Sequence, residues 1–254
     1  MSVFRDDPVD AALARAVVYR ALSIVFLPPT DARLAFVGAR HGFPILAAAL
    51  HGRDALREAA AALTALPRAA IDAADAAFWR LFGHTTRGQV CPCETEYGRD
   101  DGFHQPQQLA DISGYYLAFG LRFGAVADVR ADHIACECEF MDFLSRKEAW
   151  LAGHEARNEQ QDESLTLTRE AGRTFLRDHL ASFGCAFGAR VASEDPGGFY
   201  GAFGRLLLVF LQSECRRVGV RPGALDLAVR SADRDEAPMA CGSADDLIQI
   251  QRRL

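Results

Sequence analysis

Apolar residues recur at helical spacing through almost the whole chain, and no run of alternating β-branched residues interrupts them. This pattern limits the fold to packed helices. The clearest stretch is 197–218, where Phe199, Phe203, Leu207 and Phe210 recur at i, i+4, i+8 and i+11 and share one face. Residues 9–27 place Ala14, Val17, Val18, Ala21, Ile24 and Val25 at helical spacing, and Pro28-Pro29 stops them. Thr30 is placed to cap a short helix through Arg40. Residues 44–66 are rich in Ala and Leu, and residues 70–82 end in the cluster Phe78, Trp79, Leu81, Phe82. A stripe of Leu109, Ile112, Tyr116, Phe119 and Phe123 predicts a helix over 107–123. Another over 132–151 turns Ile134, Cys138, Met141 and Phe143 inward, with Asp132 as its natural N-cap. A helix over 164–183 carries His179, read as a satisfied, partly buried histidine.

Two segments read as non-helical. The loop 83–106 holds Gly83, Gly88, Pro92, Gly98, Gly102 and Pro106, and its length marks it as functional or mobile. The second is the tail after Arg221. No internal repeat and no strong linker divides the chain. The expectation is a single all-α domain of about ten helices over 1–254, with its core at about 10–220 and a tail at 221–254.

Composition narrows the function classes. Half of the 254 residues are hydrophobic, enough to bury a sizeable core. No apolar run approaches the ~20 residues of a membrane span. The acidic start at Asp6, Asp7 and Asp10 is unlike a secretory signal. A net charge of −6 argues against coating nucleic acid or an anionic membrane. The cations are scattered arginines and the single Lys147, a pattern of base composition rather than a patch. Seven cysteines, an odd number, fit reduced thiols in the cytoplasm.

Few motifs carry chemistry. Cys91-Pro-Cys93 and Cys136-Glu-Cys138 could in principle supply thiolates to a metal, but the one-residue gap differs from structural zinc units. Cys136 and Cys138 point about 200° apart around a helix. The plainer reading makes them small core residues and leaves Cys91 and Cys93 as loop thiols. His133 and Glu137 lie at i and i+4, an acid–base pair or a helix-end interaction. No nucleophile elbow, P-loop or dinucleotide fingerprint is present, so a hydrolase using His133 and Glu137 has no obvious nucleophile. The cluster Phe78–Phe82 is core by default, although its place before a long loop suits an apolar groove.

Four stretches, in order, are similar to a known family. Phe78-Trp-Arg-Leu81-Phe82 resembles an aromatic-x-x-Leu-Phe signature. Pro92-Cys-Glu94-Thr-Glu-Tyr97 resembles a Pro-x-Glu-x-x-Tyr segment. Ala110-Asp-Ile-Ser-Gly-Tyr-Tyr116, running to Phe119-Gly120-Leu121, resembles a helix ending in a Phe-Gly-Leu turn. Asp132-His133-Ile-Ala-Cys-Glu137-Cys-Glu-Phe140-Met141 resembles a Pro-Asp-His motif and its following helix, with Ala131 in place of Pro. The chain thus resembles the TorD/DmsD/NarJ family of redox-enzyme maturation chaperones over roughly residues 10 to 220.

The resemblance implies a cytoplasmic binding protein, not an enzyme, with no cofactor of its own. Its partner would be the immature molybdopterin catalytic subunit of a dimethyl-sulfoxide-reductase-type enzyme, or that subunit's twin-arginine signal peptide. Such a receptor needs carboxylates for guanidinium groups and an apolar groove. Glu94, Asp132 and Glu137 could supply the first, with His133 orienting them. Trp79, Phe82, Tyr97 and Phe140 could supply the second, with Phe78, Leu81 and Tyr116 beside them. On this reading, Asp132→Ala or Glu94→Ala weakens peptide binding without unfolding the chain. The protein would be a monomer, or a homodimer exchanging segments near 83–106 or 124–131. A metal- or redox-dependent protein using Cys91, Cys93 and Cys241 is the alternative.

Overall fold

The computed structural model describes residues 7–30, 32–33, 46, 49, 54–83, 88–98, 104–122, 129–154 and 156–230. Most of the helix expected at 30–40, the turn at 124–128 and Cys241 lie outside these residues.

The described chain forms α1 (Pro8–Val25), α2 (Asp54–Thr64), α3 (Arg68–Asp72), α4 (Ala74–Phe82), a 3-10 turn (Glu94–Glu96), α5 (His104–Ala118), α6 (Ile134–Ala152) and α7 (Glu159–Phe175). A π-helical turn (Leu176–Leu180), α8 (Ala181–Glu194) and α9 (Phe199–Val218) follow. Among the described residues there is no strand, only isolated bridges pairing Cys93 with His133 and Tyr97 with Val229. The all-α expectation is met. No helix among them is long and apolar enough to cross a membrane.

Local chemistry sets the boundaries. Asp7 caps α1 by accepting from the amides of Val9 and Asp10 at 2.8 and 3.0 Å, and Pro8 fills the first turn, where its missing N–H costs nothing. Thr30 accepts from the Arg33 amide at 3.3 Å, a cap of the expected kind. Asn158 and Gln161 form a reciprocal capping box on α7. Gly219 ends α9 in the left-handed region with φ 70°, which costs little only without a Cβ.

Helix α6 departs from expectation at its start. Its cap is His133, whose Nδ1 accepts from the Ala135 amide at 3.1 Å, and not Asp132. Helix α5 stops at Ala118, short of 123, because the chain turns at Gly120 with φ 73°. The helix expected at 164–183 begins earlier and does not end there. It passes through the wide turn 176–180 directly into α8.

Helices α8 and α9 form the centre. Gly188 and Gly204 face each other where they cross: a Cβ on either would lie 2.8 or 2.7 Å from the carbonyl oxygen of the other. Helix α1 packs antiparallel on α6, tied by Arg20 to Glu139 at 2.8 Å and by Arg15 to Glu148. The apolar stripe of α9 is buried as expected, and Phe210 meets Tyr19 of α1 edge-on at 4.8 Å. Each such ring contributes about 1.5–3 kcal/mol relative to exposure.

Candidate functional site

Segment 88–98 lies inside the protein instead of looping over it. Val90, Cys91, Cys93, Glu94, Thr95 and Tyr97 are all buried. The segment pairs with the approach to α6. The Ile134 amide donates to the Pro92 carbonyl at 2.8 Å, and the Glu94 amide donates to the Asp132 carbonyl at 2.9 Å. Tyr97 donates its hydroxyl to the Cys91 carbonyl at 2.8 Å. The chain after α9 covers the far side, where the Gly98 amide donates to Ala228 and the Arg230 amide to Glu96. The tail therefore folds back as far as residue 230.

Asp132 locks this pairing. Its carboxylate accepts from the Thr95 amide at 3.0 Å, the Thr95 hydroxyl at 2.7 Å, and the Arg130 guanidinium at 3.0 and 2.9 Å. Arg130 also reaches Glu96 at 2.7 Å and contacts the Thr95 hydroxyl. Asp132 has no exposed surface, so its charge is committed to the chain's own arginine. This differs from the expectation that it faces a client. His133 is buried too. Burial, which disfavours the imidazolium, pushes its pKa down to about 4. Neutral, it caps α6. Its hydrogen bond is to a backbone amide, and it makes no acid–base pair with Glu137.

Glu137, one turn into α6, is fully buried, and neither carboxyl oxygen has a hydrogen-bond partner. Burial and the nearby charge of Glu94 hold its pKa well above the ordinary carboxylate range, which favours the protonated acid. The contact between the two carboxyl groups adds to this rise, because a proton on Glu137 is held against Glu94. Glu94, 1% exposed, accepts from the Gln108 side chain of α5 at 2.5 Å. Its other neighbour is His179, whose Nδ1 lies 3.3 Å from both carboxylate oxygens. The Nε2 of the same ring lies 3.2 Å from Asp111 Oδ2. Asp111 is two-thirds exposed and brings the cluster to the surface.

The sequence gives no sign that His179 and Asp111 join Glu94. Sequence distance hid them, since His179 is 85 positions from Glu94. The π turn aims His179 inward, and such turns often mark functional positions.

The aromatic candidates divide. Phe78, Leu81 and Phe82 are core: Phe82 packs against Phe26, Phe187 and Tyr200. Trp79 is half-buried, edge-on to Phe78 at 5.1 Å. Tyr116 donates to the Ala131 carbonyl at 2.9 Å, and with Tyr115, Phe119 and Phe175 it surrounds Phe140. These rings wall the acidic cluster on the α5–α7 side.

Cys91 and Cys93 are buried and not open loop thiols. A hydrogen bond between them holds the Cys91 pKa down and pushes that of Cys93 up. Among the described residues no three His, Cys, Asp or Glu side chains gather so as to hold a metal ion. Cys138 is core, as expected, and Cys136 is half-buried.

The family described as nitrate reductase delta subunit matches residues 48–188, more than half of the chain. The chain belongs to this family. It is the TorD/NarJ group of maturation chaperones to which the four motifs point, and three of those motifs supply the paired segment, α5 and α6. One curated relative is the chaperone protein TorD of Vibrio cholerae serotype O1 (strain M66-2), 25% identical over 137 residues. That match covers 54% of this chain and 58% of the relative. The chain therefore spans little more than half the length of the relative it matches. The delta-subunit match runs from α2 into the first half of α8 and so includes Glu94, Asp111, Asp132, Glu137 and His179.

Proposed function

We propose that this protein is a maturation chaperone for a molybdopterin enzyme. It binds the arginine-bearing N-terminal segment of the immature catalytic subunit in the cytoplasm and catalyses no reaction of its own. The observation that carries this reading is the pair Glu94 and Glu137, two buried carboxyl groups close together, one of which meets no polar group other than the second acid. A buried polar group left unpaired costs about 1–3 kcal/mol, and folding alone gives no return for it. A guanidinium placed between the two acids satisfies both, because its planar fork donates to two carboxylates at once. The aromatic wall of Tyr115, Tyr116 and Phe140 then flanks the charge.

The site is closed in this conformation. The shortest way in passes Gln108, Asp111 and His179, since Asp111 is exposed and the other two touch Glu94. Asp111 adds negative charge at that entrance, and the net charge of −6 favours encounter with a cationic segment. Asp132, His133 and Arg130 hold the two halves of the site in register. In this reading they are positioning residues.

Calorimetric titration of the full chain with a synthetic twin-arginine signal peptide tests the proposal. Binding is expected for this peptide and not for one with both arginines replaced by glutamine. Equal affinity for the two peptides would overturn it.

A further inference from the structure

His179 carries more information than a buried histidine usually does. Both ring nitrogens face carboxylates, Nδ1 facing Glu94 and Nε2 facing Asp111. An ionised carboxylate can only accept, so both nitrogens must donate, and an imidazole that donates from both is the imidazolium. The ring is 4% exposed and is walled by Tyr115 edge-on at 5.6 Å and by Phe175 at 5.1 Å. The other charged groups close to it are Asp178, already paired with Arg177, and Glu137 behind Glu94. A cation therefore already occupies the carboxylate that the proposed function reserves for arginine.

Resting on that reading, we propose that His179 is the resident cation of the site, and that client binding exchanges it for a guanidinium. The incoming arginine donates to Glu94 and takes the place of the Nδ1–H. His179 moves off Glu94, its Nδ1–H bond breaks, and the proton passes to solvent as the neutral ring remains. At Glu94 and His179 the charge balance is one guanidinium in and one proton out.

The energetics run in this direction. Burial alone would lower the His179 pKa; the hydrogen bond and charge of Glu94, then Asp111, outweigh burial and raise it. Once Glu94 is given up, the largest raising influence is gone while burial stays, and a second cation arrives beside the ring. Proton and client then compete for one carboxylate. Client affinity falls as pH falls below the His179 pKa, by up to about tenfold per pH unit. Glu137 contributes a second proton when a guanidinium ionises it, so the two releases must be separated by a variant.

The experiment is titration of the full chain with the twin-arginine peptide at about pH 7 in two buffers of different ionisation enthalpy, which counts the protons released. Wild type and His179→Gln are compared, the glutamine keeping a donor for Glu94 without the charge. Asp111→Asn is the second variant, because that exposed side chain can be changed without disturbing the core. The expected result is that His179→Gln releases fewer protons per peptide, by about half a proton or more, and binds several-fold tighter at acidic pH. Asp111→Asn is expected to lower the count by a smaller amount. Peptide binding with an unchanged proton count in both variants overturns the exchange and leaves the arginine site standing. A wild-type chain that binds no peptide overturns the arginine site, and the exchange with it.

Discussion

Asp132 lies just before the cap of α6 and Glu137 in its first turn, and neither has exposed surface. Their surroundings are opposite. Asp132 accepts four hydrogen bonds, two from Thr95 and two from Arg130. Glu137 accepts none, and its polar neighbour is a second acid, Glu94. A buried carboxylate with every lone pair used holds a structure together. A buried carboxyl with none used weakens it, and its presence points to a second molecule. The clamp around Asp132 thus serves the fold, and the cluster around Glu137 is the one we propose for the client.

Removing a member of each region should give opposite results. Asp132→Ala strips the partner from Arg130 and Thr95, and the expected loss is about 3–5 kcal/mol, towards the lower end because Arg130 is 36% exposed. Urea denaturation checks it, and a loss within ~0.5 kcal/mol would place Asp132 outside the clamp. The sequence alone predicts weaker binding without unfolding for this substitution, whereas the hydrogen bonds of the clamp predict a loss of stability.

The next effect is a pH dependence. His133 is held neutral, with a folded pKa of about 4 against an ordinary value of 6.5. As pH falls through that window the unfolded chain takes up a proton that the folded chain refuses, so stability is lost. The loss is on the order of 3 kcal/mol over the whole window. His133→Asn keeps a capping acceptor without the titration. Its melting temperature should fall less steeply with acid than that of wild type. Parallel curves would show that His133 does not hold the clamp in its neutral form. His179 has the opposite sign: its raised folded pKa gives stability below about 6.5 that is lost as pH rises through the folded value.

The third effect has a positive sign. Glu137→Met replaces an unsatisfied buried acid with an apolar side chain of similar length, and should stabilise the protein by about 1–3 kcal/mol at neutral pH. The same variant should lose affinity for the peptide. Destabilisation by a similar amount would mean that Glu137 has a structural partner and that the two regions do not differ in kind.

The fold was legible because its signal is local. The stripes of α1, α6 and α9 can be read within single windows, and the aromatic end of α4 and the Pro92–Tyr97 segment stand out by residue type. Four things were not legible. The Arg130–Asp132–Thr95 lock joins groups 37 positions apart, and the Glu94–His179 contact spans 85. Neither leaves a period in the sequence. The π turn adds one residue to a helix, which shifts its face by about 100° without altering the count of apolar residues. The Gly and Pro residues of segment 88–98 predict a loop. Its burial comes from backbone pairing with 132–134 and 228–230, which side-chain types do not encode.

The most direct test of the arginine site is a double-mutant cycle between Glu137→Gln in the full chain and replacement of one peptide arginine by glutamine, read by calorimetry. Glutamine keeps the size of Glu137 and removes only its ability to ionise. If the buried acid receives the guanidinium, the two changes should couple by about 1.5 kcal/mol or more, so that the second costs little once the first is made. Independent, additive losses would contradict the assignment of Glu94 and Glu137 as the arginine site.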